Sequence, residues 1–366
     1  MKYQIIISTL SILFAISGCK TEFSVNGEYQ KTAIVNAIID FNDTIHYLKI
    51  NKTFLGDGNA FDFAAIPDSS YFSSVDGTVK EVVNGTVNRT FTLRDTLIEN
   101  KDESGVFYAP QQRLYYFYTA PNEKLDKDAI LRLNLNLDNG DNIVTGETEL
   151  VSGLSIESPN DFTPLALAEA LVEDDTDYLR PSISFKTGTS AQYFDLRIIF
   201  RYNEFEGTNN TIKEFEWKVA DLAKDQLAVS PNNQASIVLN GKNFYEQVAA
   251  KISIDPAVTR RTVHSLDFVL TGGSQDLVNY IAVNQPVSSL AQSKPTFTNL
   301  SGGLGIFTSR SKVVRTRLNG VPNGPATIRI LNQNSTRQLC QGQITTNELL
   351  FCSPIPEDQN STFFCN

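Results

Sequence analysis

Between Ile130 and Leu137 the chain reads ILRLNLNL, with Leu131, Leu133, Leu135 and Leu137 alternating with Arg132, Asn134 and Asn136. A strand turns successive side chains to opposite faces, whereas a helix would scatter these leucines around its axis. The segment therefore predicts a half-buried strand with one wet face. Asp138-Asn139-Gly140 then predicts a turn into a second strand over Asn142 to Leu150. The same grammar precedes it. Ala33 to Phe41 and Thr44 to Ile50 are strand-like and are separated by Asn42-Asp43, and Val79 to Val83 and Thr86 to Leu93 flank Asn84-Gly85, a strong hairpin signal. Gly105 to Ala109 and Leu114 to Thr119 continue the series. About seven short strands with turns at short intervals predict an immunoglobulin-like sandwich over residues 29–156. That stretch lacks the Cys…Trp…Cys pattern of true immunoglobulin domains, so the expectation concerns architecture alone.

Ser158-Pro159 through Glu173 marks a boundary, within which Pro164 to Val172 reads as a short helix. A second β series follows at Ser182 to Phe185, Tyr193 to Tyr202, Ile212 to Val219, Ala235 to Leu239 and Val263 to Thr271. Lys242 to Lys251 and Ser274 to Val283 are helix candidates, the latter with Ser274 as N-cap and Leu277, Val278 and Ile281 at helical spacing. The expected fold is all-β with a few short helices. An immunoglobulin-like sandwich is followed by a second sandwich-like domain over 157–310, then by a C-terminal extension, 311–366, that carries three cysteines.

Composition narrows the chemistry. The 366 residues include 41% hydrophobic side chains, enough to exclude disorder. A formal charge of −10 argues against a nucleic-acid binder, which needs a basic stripe. Two His and four Cys leave little material for hydrolytic or metal chemistry.

The N-terminus supplies an address. Lys2 precedes an apolar run from Tyr3 to Ile16, too short to span a bilayer and ending in Ile16-Ser17-Gly18-Cys19. That ending resembles the bacterial lipobox, which implies a signal peptide over 1–18, a lipidated Cys19 and a tether over 19–28. Two or more acyl chains hold a protein stably without a transmembrane helix. Lys20-Thr21-Glu22 resembles the export signals of Bacteroidota surface lipoproteins, so the expected location is the outer membrane at the cell surface.

Longer segments resemble an uncharacterised family of Bacteroidota lipoproteins known as a domain of unknown function. They are AIVNAIIDFNDTIHYLKINKTF (33–54), NKDESGVFYAPQQRLYYFYT (100–119), LRLNLNL with TGETELV (145–151), SQDLVNYIAV (274–283) and PTFTNLSGGLGIFTSR (295–310). The resemblance implies an all-β surface lipoprotein with an immunoglobulin-like N-terminal domain. It also implies association with TonB-dependent outer-membrane receptors, and it supplies no catalytic residue.

Candidate sites are few. In a strand, Tyr115 and Phe117 face one way and Tyr116 and Tyr118 the other, so Tyr116 and Tyr118 are the candidates for ligand binding. Glu173, Asp174, Asp175 and Asp177 offer oxygen ligands for Ca²⁺, although their spacing is not that of an EF-hand. Gly302-Gly303-Leu304-Gly305 lacks the features of a phosphate loop and reads as a tight backbone crossing before buried Ile306-Phe307. His46 and His264 lack the motifs that accompany catalytic histidines. Cys340, Cys352 and Cys365 allow three single disulfide pairings in an oxidising compartment. The expected function is a non-enzymatic binding or receptor-accessory module in nutrient uptake, with no cofactor and no nucleic-acid partner. The alternatives are an adhesin or structural surface protein, and a carbohydrate-active enzyme built on a carboxylate pair.

Overall fold

The computed structural model describes residues 31–54, 59–169, 177–285, 296–323 and 326–365. The expected signal peptide (1–18), Cys19 and the expected tether (19–28) lie outside them.

Eight strands build the first sandwich: β1 (Ala33–Asp40), β2 (Ile45–Lys52), β3 (Val75–Val83), β4 (Thr86–Thr92), β5 (Arg94–Glu99), β6 (Gln111–Tyr118), β7 (Ile130–Leu137) and β8 (Asn142–Glu149). One sheet runs β1-β2-β6-β5 and the other β8-β7-β3-β4. With the strands lettered in immunoglobulin fashion, β1, β2, β6 and β5 stand at A, B, E and D. The other sheet places β8, β7 and β3 at G, F and C, with β4 added beyond C. The alternation in β7 does what it predicts: Leu131, Leu133, Leu135 and Leu137 are buried in a core shared with Val35, Leu48 and Phe117. Asn84 and Gly85 both have positive φ, the geometry of a tight two-residue hairpin turn. Two short helices, α1 (Ala60–Ala64) and α2 (Pro67–Ser70), occupy the connection from β2 to β3.

The second sandwich has a three-stranded sheet, β13-β10-β9, made from β9 (Ser152–Ser158), β10 (Ser182–Thr189) and β13 (Gln234–Val238). It packs against β11 (Tyr193–Glu206), β12 (Asn209–Ala223) and β14 (Arg260–Gly273). The rings of Phe185 and Phe194 meet across this core at 5.4 Å. Helix α3 (Gly241–Lys251) buries Phe244, Tyr245 and Val248 in the same core, and α4 (Gln275–Asn284) is capped by Ser274, as its sequence predicts. Two-residue β15 (Leu300–Ser301) extends the β8 edge of the first sandwich.

The sandwiches share one strand. β16 (Gly303–Leu318) pairs in parallel with β1 from Gly303 to Arg310, then antiparallel with β14 from Arg310 to Leu318. All eight strands of the large sheet, β12-β11-β14-β16-β1-β2-β6-β5, are therefore continuous. Arg310 marks the hand-over, and its Nε donates to Asp40 at 3.1 Å.

Five sequence expectations need correction. A boundary at 310 cuts β16 in half, because the strand runs unbroken from its pairing with β1 to its pairing with β14 and its central Ile306, Phe307, Thr308 and Ser309 are buried in succession. The segment after 310 is no appendage: β17 (Val321–Asn323), β18 (Ala326–Ile328) and helix α5 (Gln333–Gln341) lead into a tail whose Ile330, Leu339, Phe351 and Phe363 complete the second core. β9 belongs to the second sandwich although most of it lies before residue 157. Gly105 to Ala109 forms no strand, and no helix forms over the described part of 164–172, where Leu165 instead bridges Leu331.

Candidate functional site

Strand β6 places Tyr115 and Phe117 in the core and turns Tyr116 and Tyr118 outward. Across the β2–β6 ladder Tyr47 stands opposite Tyr116 and Ile45 opposite Tyr118. The Tyr47 and Tyr116 rings lie 6.1 Å apart, and Tyr118, Tyr47 and Ile45 are 53%, 43% and 41% exposed. The predicted pair is thus half of an outward aromatic and aliphatic patch whose other half comes from β2. Period-two reading reveals each half separately, but only the register joins them.

His46, on the opposite face of β2, is 2% exposed and stacks on Phe117 at 4.5 Å. Its Nε2 lies 3.1 Å from Thr119 Oγ1, and Nδ1 is buried without a hydrogen-bond partner. Burial pushes its pKa down to about 4, outweighing the attraction of Asp40, so the ring is neutral near pH 7. His264 Nδ1 lies 3.1 Å from Ser265 Oγ. Among the described residues neither imidazole pairs with a carboxylate, so neither has the orienting partner that a triad requires.

A further concavity has no counterpart in the sequence pattern. At the end of the first sandwich where β2 finishes and β6 begins, two adjoining cavities of about 530 and 400 Å³ share Lys52, Pro67, Tyr71 and Tyr108 as walls. The first adds Asp68, Ser73, Gln111, Gln112 and Arg113. The second adds Lys49, Asn51, Phe54, Lys101 and Phe107. Each volume falls in the range of about 300–1,000 Å³ usual for small-molecule sites.

Local hydrogen bonds hold this cleft in shape. Tyr108 N donates to Ala64 O at 3.0 Å, tying the β5–β6 connection to α1. Arg113 N donates to the Tyr71 hydroxyl at 3.1 Å, and the Arg113 guanidinium sits 5.7 Å from the Tyr71 ring centre. Lys101 Nζ donates to Tyr108 O at 2.7 Å and lies 5.3 Å from the Phe107 ring centre. Partial burial and the nearby Lys49 charge push the Lys101 pKa down. Ser73 is fixed by Asp138, which accepts from Ser73 N at 2.8 Å and from Ser73 Oγ at 2.7 Å and also pairs with Lys31. Burial alone would raise the Asp138 carboxyl, but these partners hold it well below the usual range.

The remaining candidates are structural or fall elsewhere. Glu173, Asp174 and Asp175 lie outside the described residues. The Asp177 carbonyl accepts from Glu169 N at 3.1 Å, and among the described residues no group of three or more His, Cys, Asp or Glu side chains gathers as a metal site. Gly302 and Gly305 are the predicted crossing: both have positive φ, and a Cβ would stand 2.1 Å from Ile143 O and 2.0 Å from Val35 O. Cys352 and Cys365 form a disulfide, and Cys340 is a buried free thiol whose pKa burial raises. Among the described residues no helix is long and apolar enough to cross a membrane.

No family model matches the chain, and no curated protein does. The chain is similar, at 12% identity and a TM-score of 0.17, to the solved structure of CBD12 from CALX1.2, over 76% of this chain and 99% of that one. A likeness that small carries no argument. The class of protein is set by strand order: an immunoglobulin-like sandwich joined through a shared strand to a second β-sandwich.

Proposed function

We propose that the protein is an outer-membrane-anchored, surface-exposed lipoprotein that acts as a non-enzymatic binding module beside a TonB-dependent receptor in nutrient uptake. The supporting observation is the outward row of Ile45, Tyr47, Tyr116 and Tyr118 on rigid paired strands. Aromatic rings that combine an apolar body with a polar tip are favoured contact residues at protein surfaces. The lipobox resemblance at Cys19 supplies the anchor. Ala33 follows Cys19 by 14 residues, so the start of β1 is held within about 50 Å of the membrane.

The test is affinity capture of the full-length protein from detergent-solubilised outer membranes. A β-barrel receptor should be recovered with the wild type and lost with a Tyr47→Ala/Tyr116→Ala/Tyr118→Ala variant. Cys19→Ala should abolish fatty-acid labelling and reduce recovery. Equal recovery from wild type and variants, or none from the wild type, contradicts the reading.

A further inference from the structure

The two cavities at the β2–β6 end form a site distinct from the aromatic row, and their composition departs from that of the chain. Acidic side chains outnumber basic ones in the whole protein, 41 to 31. The cleft reverses this: Lys49, Lys52, Lys101 and Arg113 line it against one carboxylate, Asp68. None of the four cations forms an ion pair among the described residues. Arg113 Nε is moreover buried without a hydrogen-bond partner. Like charges brought together without counterions raise the free energy of the empty site, and an anionic ligand relieves that repulsion. Arg113 has the planar fork that matches a carboxylate or sulfate, and Lys52 adds a point charge.

Charge alone would suit any anion, and the other walls narrow the class. Tyr71 and Tyr108 stand at the junction of the two cavities, with Phe54 and Phe107 beyond them, offering flat apolar faces. Gln111 and Gln112 are oriented by donating to Glu99 at 2.9 Å and Asn100 at 2.7 Å, and Asn51 by donating to Ser70 O at 3.2 Å. Asp68 is an acceptor that a peptide of consecutive acids or a bare phosphate chain would meet as repulsion. A sugar hydroxyl would donate to it. Flat aromatic walls, amide and carboxylate partners for hydroxyls, and an excess of cations are jointly satisfied by an acidic sugar.

We propose that this cleft binds an acidic oligosaccharide. Lys52 and Arg113 hold the carboxylate or sulfate of one residue, Tyr71 and Tyr108 pack against its ring, and Asp68 accepts from its hydroxyls.

Isothermal titration calorimetry on the detergent-solubilised full-length protein tests this with four probes: tetragalacturonate, a chondroitin sulfate tetrasaccharide, cellotetraose and tetraglutamate. Binding of either acidic tetrasaccharide supports the proposal, and the stronger of the two shows whether carboxylate or sulfate is preferred. Affinity should fall with added salt, and Arg113→Gln and Lys52→Gln should each weaken binding at least tenfold with unchanged circular dichroism. Tyr116→Ala/Tyr118→Ala should leave it unchanged, so failure here and failure of receptor capture are separable. Equal binding of cellotetraose would overturn the anionic recognition, and binding of tetraglutamate alone would overturn the sugar. No binding by any probe would overturn the proposal outright.

Discussion

Two regions, the β11–β14 face of the second sandwich and the cleft of the first, treat their charges in opposite ways. On the outer face of the second sandwich, Arg197 pairs with Asp195 at 2.6 Å and Glu216 at 2.7 Å, and Arg201 pairs with Glu214 at 2.7 Å and Asp267 at 2.5 Å. Deeper in, Arg261 is 1% exposed, pairs with Glu204 at 2.8 Å and donates to the carbonyls of Leu349 and Ser253. In the first sandwich the four cations of the cleft stand together without counterions. Matched charges fix strands in place, whereas gathered, unmatched ones wait for a partner. The β11–β14 face therefore reads as scaffold and the β2–β6 cleft as the recognition end.

The contrast is open to attack by mutation. Arg261→Met leaves Glu204 at a buried site with only Lys213 beside it and should cost about 3–5 kcal/mol in urea unfolding. A loss below 1 kcal/mol would show that this ion pair is not part of the scaffold. Reducing the tail disulfide, or Cys352→Ser, opens a loop with a sequence separation of 13 and should cost about 3 kcal/mol by the chain-entropy estimate. An unchanged thermal midpoint would mean that the tail is held by its apolar contacts alone.

The first sandwich carries a pH-dependent element of its own. The unfolded chain protonates His46 near pH 6.5 and the folded chain only near pH 4. Its contribution is therefore complete above pH 6.5 and is lost as pH falls towards 4, by at most about 3 kcal/mol. His46→Gln should flatten the stability profile across that window, and a profile unchanged by the substitution would contradict the assignment. The smallest stability effect belongs to the cleft. Lys52→Gln should change unfolding free energy by less than about 0.5 kcal/mol, because it breaks no ion pair. A large loss there would make the cleft another piece of scaffold.

What the sequence discloses depends on whether one face of an element is wet. β7 alternates because its second face is polar, and the Asn84-Gly85 turn is legible because few residue pairs adopt positive φ in succession. The same period exposes Tyr116 and Tyr118. It fails in the middle of β16, where Ile306, Phe307, Thr308 and Ser309 are buried in succession. It misleads at Gly105 to Ala109, whose Phe107 and Tyr108 resemble strand residues but form cleft walls. The cleft itself could not be read in advance. Its residues are drawn from the end of β2, the α2 region, the β5–β6 connection and the start of β6, and only tertiary hydrogen bonds such as Tyr108 to Ala64 bring them together.

The central claim, that recognition belongs to the β2–β6 end of the first sandwich, is tested most directly by hydrogen–deuterium exchange with and without saturating tetragalacturonate. Slower exchange is expected in peptides covering 49–54, 67–73 and 101–113, with 193–223 and 260–273 unchanged. Protection confined to the second sandwich, or no protection anywhere, would contradict it.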